Sequence, residues 1–346
     1  MKAAVFRDVG VMETVELPVP DCPEDGILVK VHACGICGSD IRNFHNGLKD
    51  GVKDQIMGHE IAGEIVAAGA RVETFRAGER VALAPDVSCG TCWYCKRGMV
   101  NLCEHHTMLG THYPGGFAQY LALSRRILEH GFVEKIPDDM PYEHAAFAET
   151  AAAVVACQNR IGVSMNDTVA IIGDGPVGCL HVEVARARGA GRVILLGRDR
   201  LELTQRFQPD ILLDNREPRA CTEQVLELTE GRGADFVISA IPSVTVQQQG
   251  IEMLRKRGTL VIYGGVPKTQ ELSALNSNRI HYGELTVTGA FSYPASGLRD
   301  ALEAIANRKI HAERYLSDTV PLSGIVEGMA AVQRGEALKI MVNPWK

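Results

Sequence analysis

Hydrophobic periodicity divides this chain into an irregular β-rich domain followed by a doubly wound α/β domain, so the fold class is α/β with a second, β-rich unit. Three observations carry that expectation. Up to about residue 150, short apolar runs stand between glycine- and proline-rich turns. From about 153 strand-like and helix-like runs alternate, which requires crossovers and a parallel sheet. Between the first such strand and helix lies the turn Gly173-Asp174-Gly175-Pro176-Val177-Gly178.

The β-rich part shows strand-like runs at Ile27–Val31, Ile61–Val66, Arg80–Leu83 and Phe117–Leu121. In the second part, Thr168–Ile172 is apolar throughout, as a strand covered on both faces should be. A helix is expected over Val177–Arg188, and a second strand over Arg192–Leu196 after the Gly189-Ala190-Gly191 break. Strands follow at Phe236–Ser239, Thr259–Tyr263 and Leu285–Thr288, with helices at Pro218–Thr229 and Val244–Lys256. The tail reads as helices at Leu298–Asn307 and Leu322–Gln333 and a strand at Leu338–Val342, without a βα partner. It is therefore expected to return to the first domain. The predicted domains are 1–152 with 290–346, and 153–289. The sequence holds no internal repeat and no low-complexity tract.

With 346 residues, 46% hydrophobic and 23% charged, the chain has the composition of a globular protein with ample core. A net charge of −6 argues against a nucleic-acid or anionic-membrane partner. The start, Met1-Lys2-Ala3-Ala4-Val5-Phe6-Arg7-Asp8, reaches charges too soon for a signal peptide. No apolar run approaches the ~18 residues of a membrane span. These features predict a cytoplasmic protein.

Cys89, Cys92, Cys95 and Cys103 are spaced C-x2-C-x2-C-x7-C. Four thiolates at that spacing can close on one tetrahedral zinc at Zn–S distances of ~2.3 Å, a site with no open position and so a structural one. His105 and His106 follow but are not needed as ligands, and Trp93, Tyr94, Lys96 and Arg97 are too short a stretch to read nucleic acid. Gly173, Gly175 and Gly178 make G-x-G-x-x-G after a strand and at the mouth of a helix, where backbone N–H groups and the helix dipole hold a pyrophosphate. Pro176 and Val177 complete this cofactor loop. Asp174 must point away from those phosphates. The second strand ends Leu196-Gly197-Arg198-Asp199-Arg200, without the usual acid for the adenosine ribose. Arg198 can pair with a 2′-phosphate, which favours NADP over NAD, while Asp199 can reach a ribose hydroxyl.

Cys37, His59, Glu60 and Glu149 are candidate ligands for a second zinc with an open position, where Lewis acidity makes an alcohol acidic. Cys34-x-x-Cys37 could alternatively be a redox pair, but no thioredoxin-like βαβ pattern follows. Cys22, Cys157, Cys179 and Cys221 have no partner spacing.

Gly35-Ile36-Cys37-Gly38-Ser39-Asp40, Gly58-His59-Glu60, the four-cysteine segment, Glu149 and the glycine loop, in that order, resemble the zinc-containing medium-chain dehydrogenase/reductase family. The resemblance spans essentially the whole chain. It is strongest to the polyol branch (sorbitol or L-iditol 2-dehydrogenase-like), a group that Asn278–Leu285 also resembles, with the L-threonine 3-dehydrogenase branch close. It implies a GroES-like catalytic domain and a Rossmann cofactor domain. It also implies two Zn2+ per subunit, one catalytic and one structural, and NAD or NADP as cofactor. Cys37 and His59 would ligate the catalytic zinc. Glu60 would ligate it or stand just outside, exchanging with water, and Glu149 would ligate it or hold its water. Ser39 would begin a proton relay, and Cys89, Cys92, Cys95 and Cys103 would hold the structural ion.

The implied activity is oxidation of a secondary alcohol, a polyol or sugar alcohol, to the ketone. L-threonine, a phosphorylated polyol and a cyclitol are alternative substrates. Where animal-type sorbitol dehydrogenases have a Tyr-Trp stretch, this chain has Arg42-Asn43-Phe44-His45, so Phe44 and His45 either face the substrate or serve packing and surface. The family further implies a homodimer or homotetramer, with Leu285–Thr288 at a sheet edge open to another subunit. A zinc-free quinone or enone reductase would lack the cysteine segment, and a non-catalytic zinc module would leave Cys37, His59, Glu60 and the glycine loop without purpose.

Overall fold

The computed structural model describes residues 1–346, the side chain of Asp50 excepted. The chain forms two compact units, Met1–Ala152 with Tyr293–Lys346, and Ala153–Ser292. In the first, the strands Phe132–Lys135, Arg80–Ala84, Glu60–Ala68, Ile27–Gly35, Lys339–Val342 and Leu316–Val320 lie side by side in that order, and Tyr120–Leu123 also pairs with Ile27–Gly35. Ile27, Val29 and Val31 point into a core shared with Ile61, Ile65, Val81, Leu83 and Phe117, while Lys30 between them is only half-buried. That period of two is what a sheet with one covered face selects. The C-terminal strand enters the same sheet, with Met341 opposite Gly35 and Val342 opposite Cys34.

The second unit is a six-stranded sheet in the order Ile211–Asp214, Arg192–Gly197, Thr168–Ile172, Ala234–Ser239, Leu254–Ile262, Thr286–Gly289, with every pairing parallel. Its order reverses beside Thr168–Ile172, the strand that feeds the glycine loop, which is where open parallel sheets bind ligands. Val169, Ala170, Ile171 and Ile172 are at most 1% exposed. Fully burying each Val or Ile stabilises by about 1.5–3 kcal/mol, so an unbroken apolar run is favoured.

Several elements differ from the expectation. The helix expected over Val244–Lys256 ends at Glu252, and Leu254–Ile262 is a strand. Leu254 pairs with Ala234 across a register shift, Arg257 takes a left-handed φ of 60°, and the Arg255 Nε donates to Asp235. The strand expected from Phe117 begins at Tyr120, because the Phe117 amide and carbonyl bond to Met57 and Ala4 instead. The region before 150 is also not all β. Helices Gly38–Asn46 and Tyr142–Ile161 lie within or across it. The strands Lys2–Asp8, Ile211–Asp214 and Leu316–Val320 were not foreseen either.

His181, on the helix Pro176–Ala187, is fully buried with its Nδ1 3.1 Å from Gln158 Nε2. Burial lowers its pKa from 6.5 to about 3, so the folded protein keeps it neutral where the unfolded chain takes up a proton. Stability from this residue is complete above pH 6.5 and is lost as pH falls toward 3. The slope approaches about 1.4 kcal/mol per pH unit. Replacing His181 with Gln should flatten the fall of the urea midpoint between pH 6.5 and 4.5, and an unchanged slope would exclude this residue as its source.

Candidate metal centre and dinucleotide loop

Strand register assembles the centre of the first unit. In the antiparallel pair Ile27–Gly35 and Glu60–Ala68, Gly35 stands opposite Glu60. A Cβ on Gly35 would lie 1.9 Å from Glu60 Oε2, so only glycine leaves room for that carboxylate. Two residues on, Cys37 caps the helix Gly38–Asn46, and its backbone N–H donates to Asp40 Oδ2 at 3.0 Å. The other Asp40 oxygen lies 3.2 Å from His59 Nδ1. Ser39 Oγ lies 3.2 Å from His59 Nε2. One ligand atom each from Cys37, His59 and Glu60 falls within 4.8 Å of the others. His59, Glu60 and Asp40 are buried, at 8%, 0% and 2% exposure.

The electrostatics suit a cation. Burial alone would lower the His59 pKa, but the Asp40 carboxylate and Cys37 outweigh it, and the imidazole is held well above its ordinary 6.5. Sulfur, imidazole and carboxylate donors converging on one point match zinc's donor preferences. Asp40 facing Nδ1 keeps a proton on that nitrogen, so Nε2 is the one that would lose its proton to a metal.

Glu60 is not alone. Lys339 Nζ donates to Oε1 and Oε2 at 2.6 and 2.8 Å, and Thr150 Oγ1 donates to Oε1 at 2.8 Å. Lys339 is 2% exposed. Burial pulls its pKa down, yet Glu60 and Cys37 raise it overall, so it stays an ammonium. Glu149 stands apart from the three converging ligand atoms. Its Oε1 accepts from Tyr293 Oη at 3.0 Å, and its pKa is pushed up to about 7, chiefly by burial, with His59 opposing and Glu60 and Asp86 adding. Thr150, Tyr293 and Lys339 have no local signature in the sequence, and Asp40 stands there only within the Gly35–Asp40 motif. Only Asp40, three residues past Cys37 at the helix start, carried a local signal for capping. Phe44 is packed into the hydrophobic core, and His45 is exposed with its Nε2 3.2 Å from Gln333 Oε1.

The sulfurs of Cys89, Cys92, Cys95 and Cys103 lie within 4.8 Å of one another and form no disulfide. Backbone donors prepare them for a cation. The Cys92 and Thr91 amides donate to Cys89 Sγ at 3.3 and 3.5 Å, and the Cys89 amide donates to Cys103 Sγ at 3.2 Å. Hydrogen bonds from Thr91, backbone and side chain, and from Cys92 bring the Cys89 thiol down to about 5, whereas burial pushes Cys103 up to about 12. His106 is turned elsewhere, its Nε2 2.8 Å from Asp86 Oδ1.

In the second unit Gly173 has φ 133°, and a Cβ on Gly178 would lie 1.8 Å from the Gly173 carbonyl oxygen. Gly175 caps the helix Pro176–Ala187, with Pro176 in its first turn, and no atom lies within 4 Å of where a Gly175 Cβ would stand. The loop therefore offers an open face beside a helix N-terminus, as a pyrophosphate needs. Asp174 does turn away from it, toward the backbone of residues 198–200. Arg198 and Asp199 are exposed, with Arg198 Nε 3.9 Å from Asp199 Oδ2.

A cysteine–histidine–carboxylate centre and a separate four-sulfur lobe in one unit, on a chain whose other unit carries a dinucleotide loop, define a class of zinc-binding dehydrogenases. Residues 23–138 match the alcohol dehydrogenase GroES-like domain and residues 176–307 match the zinc-binding dehydrogenase domain. The chain is 35% identical to sorbitol dehydrogenase of Bacillus subtilis (strain 168), covering 99% of this chain and 97% of that protein. It is 29% identical to D-arabitol-phosphate dehydrogenase of Enterococcus avium, covering 96% and 94%. A solved zinc-binding dehydrogenase of Sinorhizobium meliloti 1021 bound to NADP superposes with a TM-score of 0.90 at 30% identity, covering 99% of each chain. The chain belongs to the zinc-binding medium-chain alcohol dehydrogenase family.

Proposed function

We propose that this enzyme oxidises a secondary alcohol, a polyol or sugar alcohol, to the ketone, using NADP in preference to NAD. The observation that carries the reading is the convergence of Cys37, His59 and Glu60 within 4.8 Å. Zinc held by those three residues would supply the Lewis acidity that makes a substrate hydroxyl a proton donor near neutral pH. The nicotinamide would supply the hydride acceptor. The chain's own groups do the rest. Asp40 holds the His59 ring, and Lys339 with Thr150 holds the Glu60 carboxylate. Ser39 Oγ, beside His59, can take and pass on a proton. Glu149, with a pKa of about 7, can hold or release one at its carboxyl near neutral pH. Arg198, exposed at the end of its strand, supports the NADP preference. Cys89, Cys92, Cys95 and Cys103 would hold the second, structural zinc.

We place the protein in the cytoplasm, because all ten cysteines are unpaired. It would act as a homodimer or homotetramer. The strand Thr286–Gly289 is a sheet edge, and Tyr282 and Phe291 near it in sequence are 76% and 64% exposed.

The test is dialysis against a strong chelator followed by assay with sorbitol, xylitol, phosphorylated polyols, a cyclitol and L-threonine, each with NADP and NAD. Polyol oxidation should vanish on chelation and return with zinc. Full activity with the metal gone, or oxidation of L-threonine alone, would overturn the reading.

A further inference from the structure

The turn after the strand Arg192–Gly197 is held by a carboxylate that comes from the glycine loop. Asp174 Oδ2 accepts N–H bonds from three successive residues, Arg198 at 2.6 Å, Asp199 at 2.8 Å and Arg200 at 2.7 Å. Successive amides aimed at one point form a concavity for an anion. Here the chain fills it with its own Asp174, which is 7% exposed. From the turn after the neighbouring strand Ile211–Asp214, the Asn215 amide donates to the Gly197 carbonyl at 2.7 Å and Arg216 Nη2 to the Arg198 carbonyl at 2.7 Å. The backbone at 197–198 is thus fixed from both sides, while the Arg198 side chain is 65% exposed.

Gly197 belongs to the same arrangement. A Cβ there would stand 2.6 Å from Asp174 Cβ and 2.8 Å from its Oδ2. Any side chain at this strand end would displace the Asp174 carboxylate, so Gly197 gives the space and Asp174 takes the amides. No acid stands at the strand end to meet a ribose hydroxyl, and the Asp174 carboxylate lies beneath the turn instead.

We propose that Asp174 is a positioning residue for cofactor choice: it sets the 198–200 turn so that Arg198 meets the adenosine ribose and the site takes a 2′-phosphorylated dinucleotide. This rests on the NADP reading given above. Guanidinium–phosphate recognition is directional, so loosening the turn costs NADPH more than NADH, whose unphosphorylated ribose makes no such contact.

The experiment titrates the full-length enzyme with NADPH and NADH, following the fluorescence of the bound nicotinamide. Asp174→Ala should weaken NADPH by about tenfold or more and NADH by less than about threefold. Gly197→Ala should do the same, because its methyl group displaces the carboxylate. Asp174→Asn keeps an oxygen for the three amides and should restore NADPH binding to within about threefold of the parent. Arg198→Gln tests the cofactor reading by itself and should also lose about tenfold for NADPH alone. If Arg198→Gln shifts the NADPH-to-NADH ratio while Asp174→Ala and Gly197→Ala leave it within about twofold, the positioning role is wrong and the NADP reading stands. If Arg198→Gln leaves the ratio unchanged, the NADP reading falls and the proposal with it. Should Asp174→Ala fail to fold, Gly197→Ala decides.

Discussion

Cys37→Ser should leave a folded protein that binds one zinc per chain instead of two and has lost at least about 10^3-fold in kcat/KM. A Lewis-acid metal contributes several kcal/mol to a transition state, and each 1.36 kcal/mol is about tenfold in rate. The substitution removes the soft donor of the three that converge within 4.8 Å, while the Asp40 carboxylate still accepts from the backbone amide of residue 37. Cys95→Ser should separate the two sites. It removes a sulfur 3.4 Å from Cys92 Sγ and 3.9 Å from Cys89 Sγ, so it should cost thermal stability and one zinc while sparing most of kcat. Metal analysis by inductively coupled plasma mass spectrometry, run beside the kinetics, checks both variants. Two zincs and parental kcat/KM in Cys37→Ser would remove Cys37 from the centre.

The parts of this architecture that announce themselves in the sequence are those written locally. The four cysteines span Cys89 to Cys103 and reveal their purpose by spacing, and the glycine loop does so by sitting between a strand and a helix. The helix Tyr142–Ile161 is local too, yet it escaped notice. Ala145–Ala148, Ala151, Ala152, Val154 and Cys157 are buried around more than one face, so no 3.6-residue stripe stands out. That helix carries Glu149 and Thr150, so missing it hid the donor to Glu60. Lys339 and Tyr293 were out of reach for another reason. Lys339 meets Glu60 from 279 positions away, through a C-terminal strand whose register against Ile27–Gly35 is set by packing. Leu254–Lys256 could be helix or strand by pattern, and pairing with Ala234 decided for the strand.

Lys339→Met should cost about 3–5 kcal/mol of stability in the zinc-free protein, because it leaves the Glu60 carboxylate buried without its counter-charge. Glu60 is fully buried, and both its oxygens lie within 2.8 Å of Lys339 Nζ. Thr150 remains as one neutral donor, which cannot replace an ammonium in a low-dielectric site. The double variant Lys339→Met with Glu60→Gln should recover most of the loss, since both charges are then gone. Zinc adds a discriminating measurement. Removing a positive charge beside Cys37, His59 and Glu60 makes the pocket more negative, so bound zinc should offset part of the deficit. The urea midpoint of Lys339→Met should therefore rise more on zinc addition than that of the parent. Should the single substitution cost under about 1 kcal/mol, or the double variant recover nothing, the ion pair is not what neutralises Glu60 in the folded chain. In that outcome Lys339 would have no part in preparing the Glu60 carboxylate for a metal.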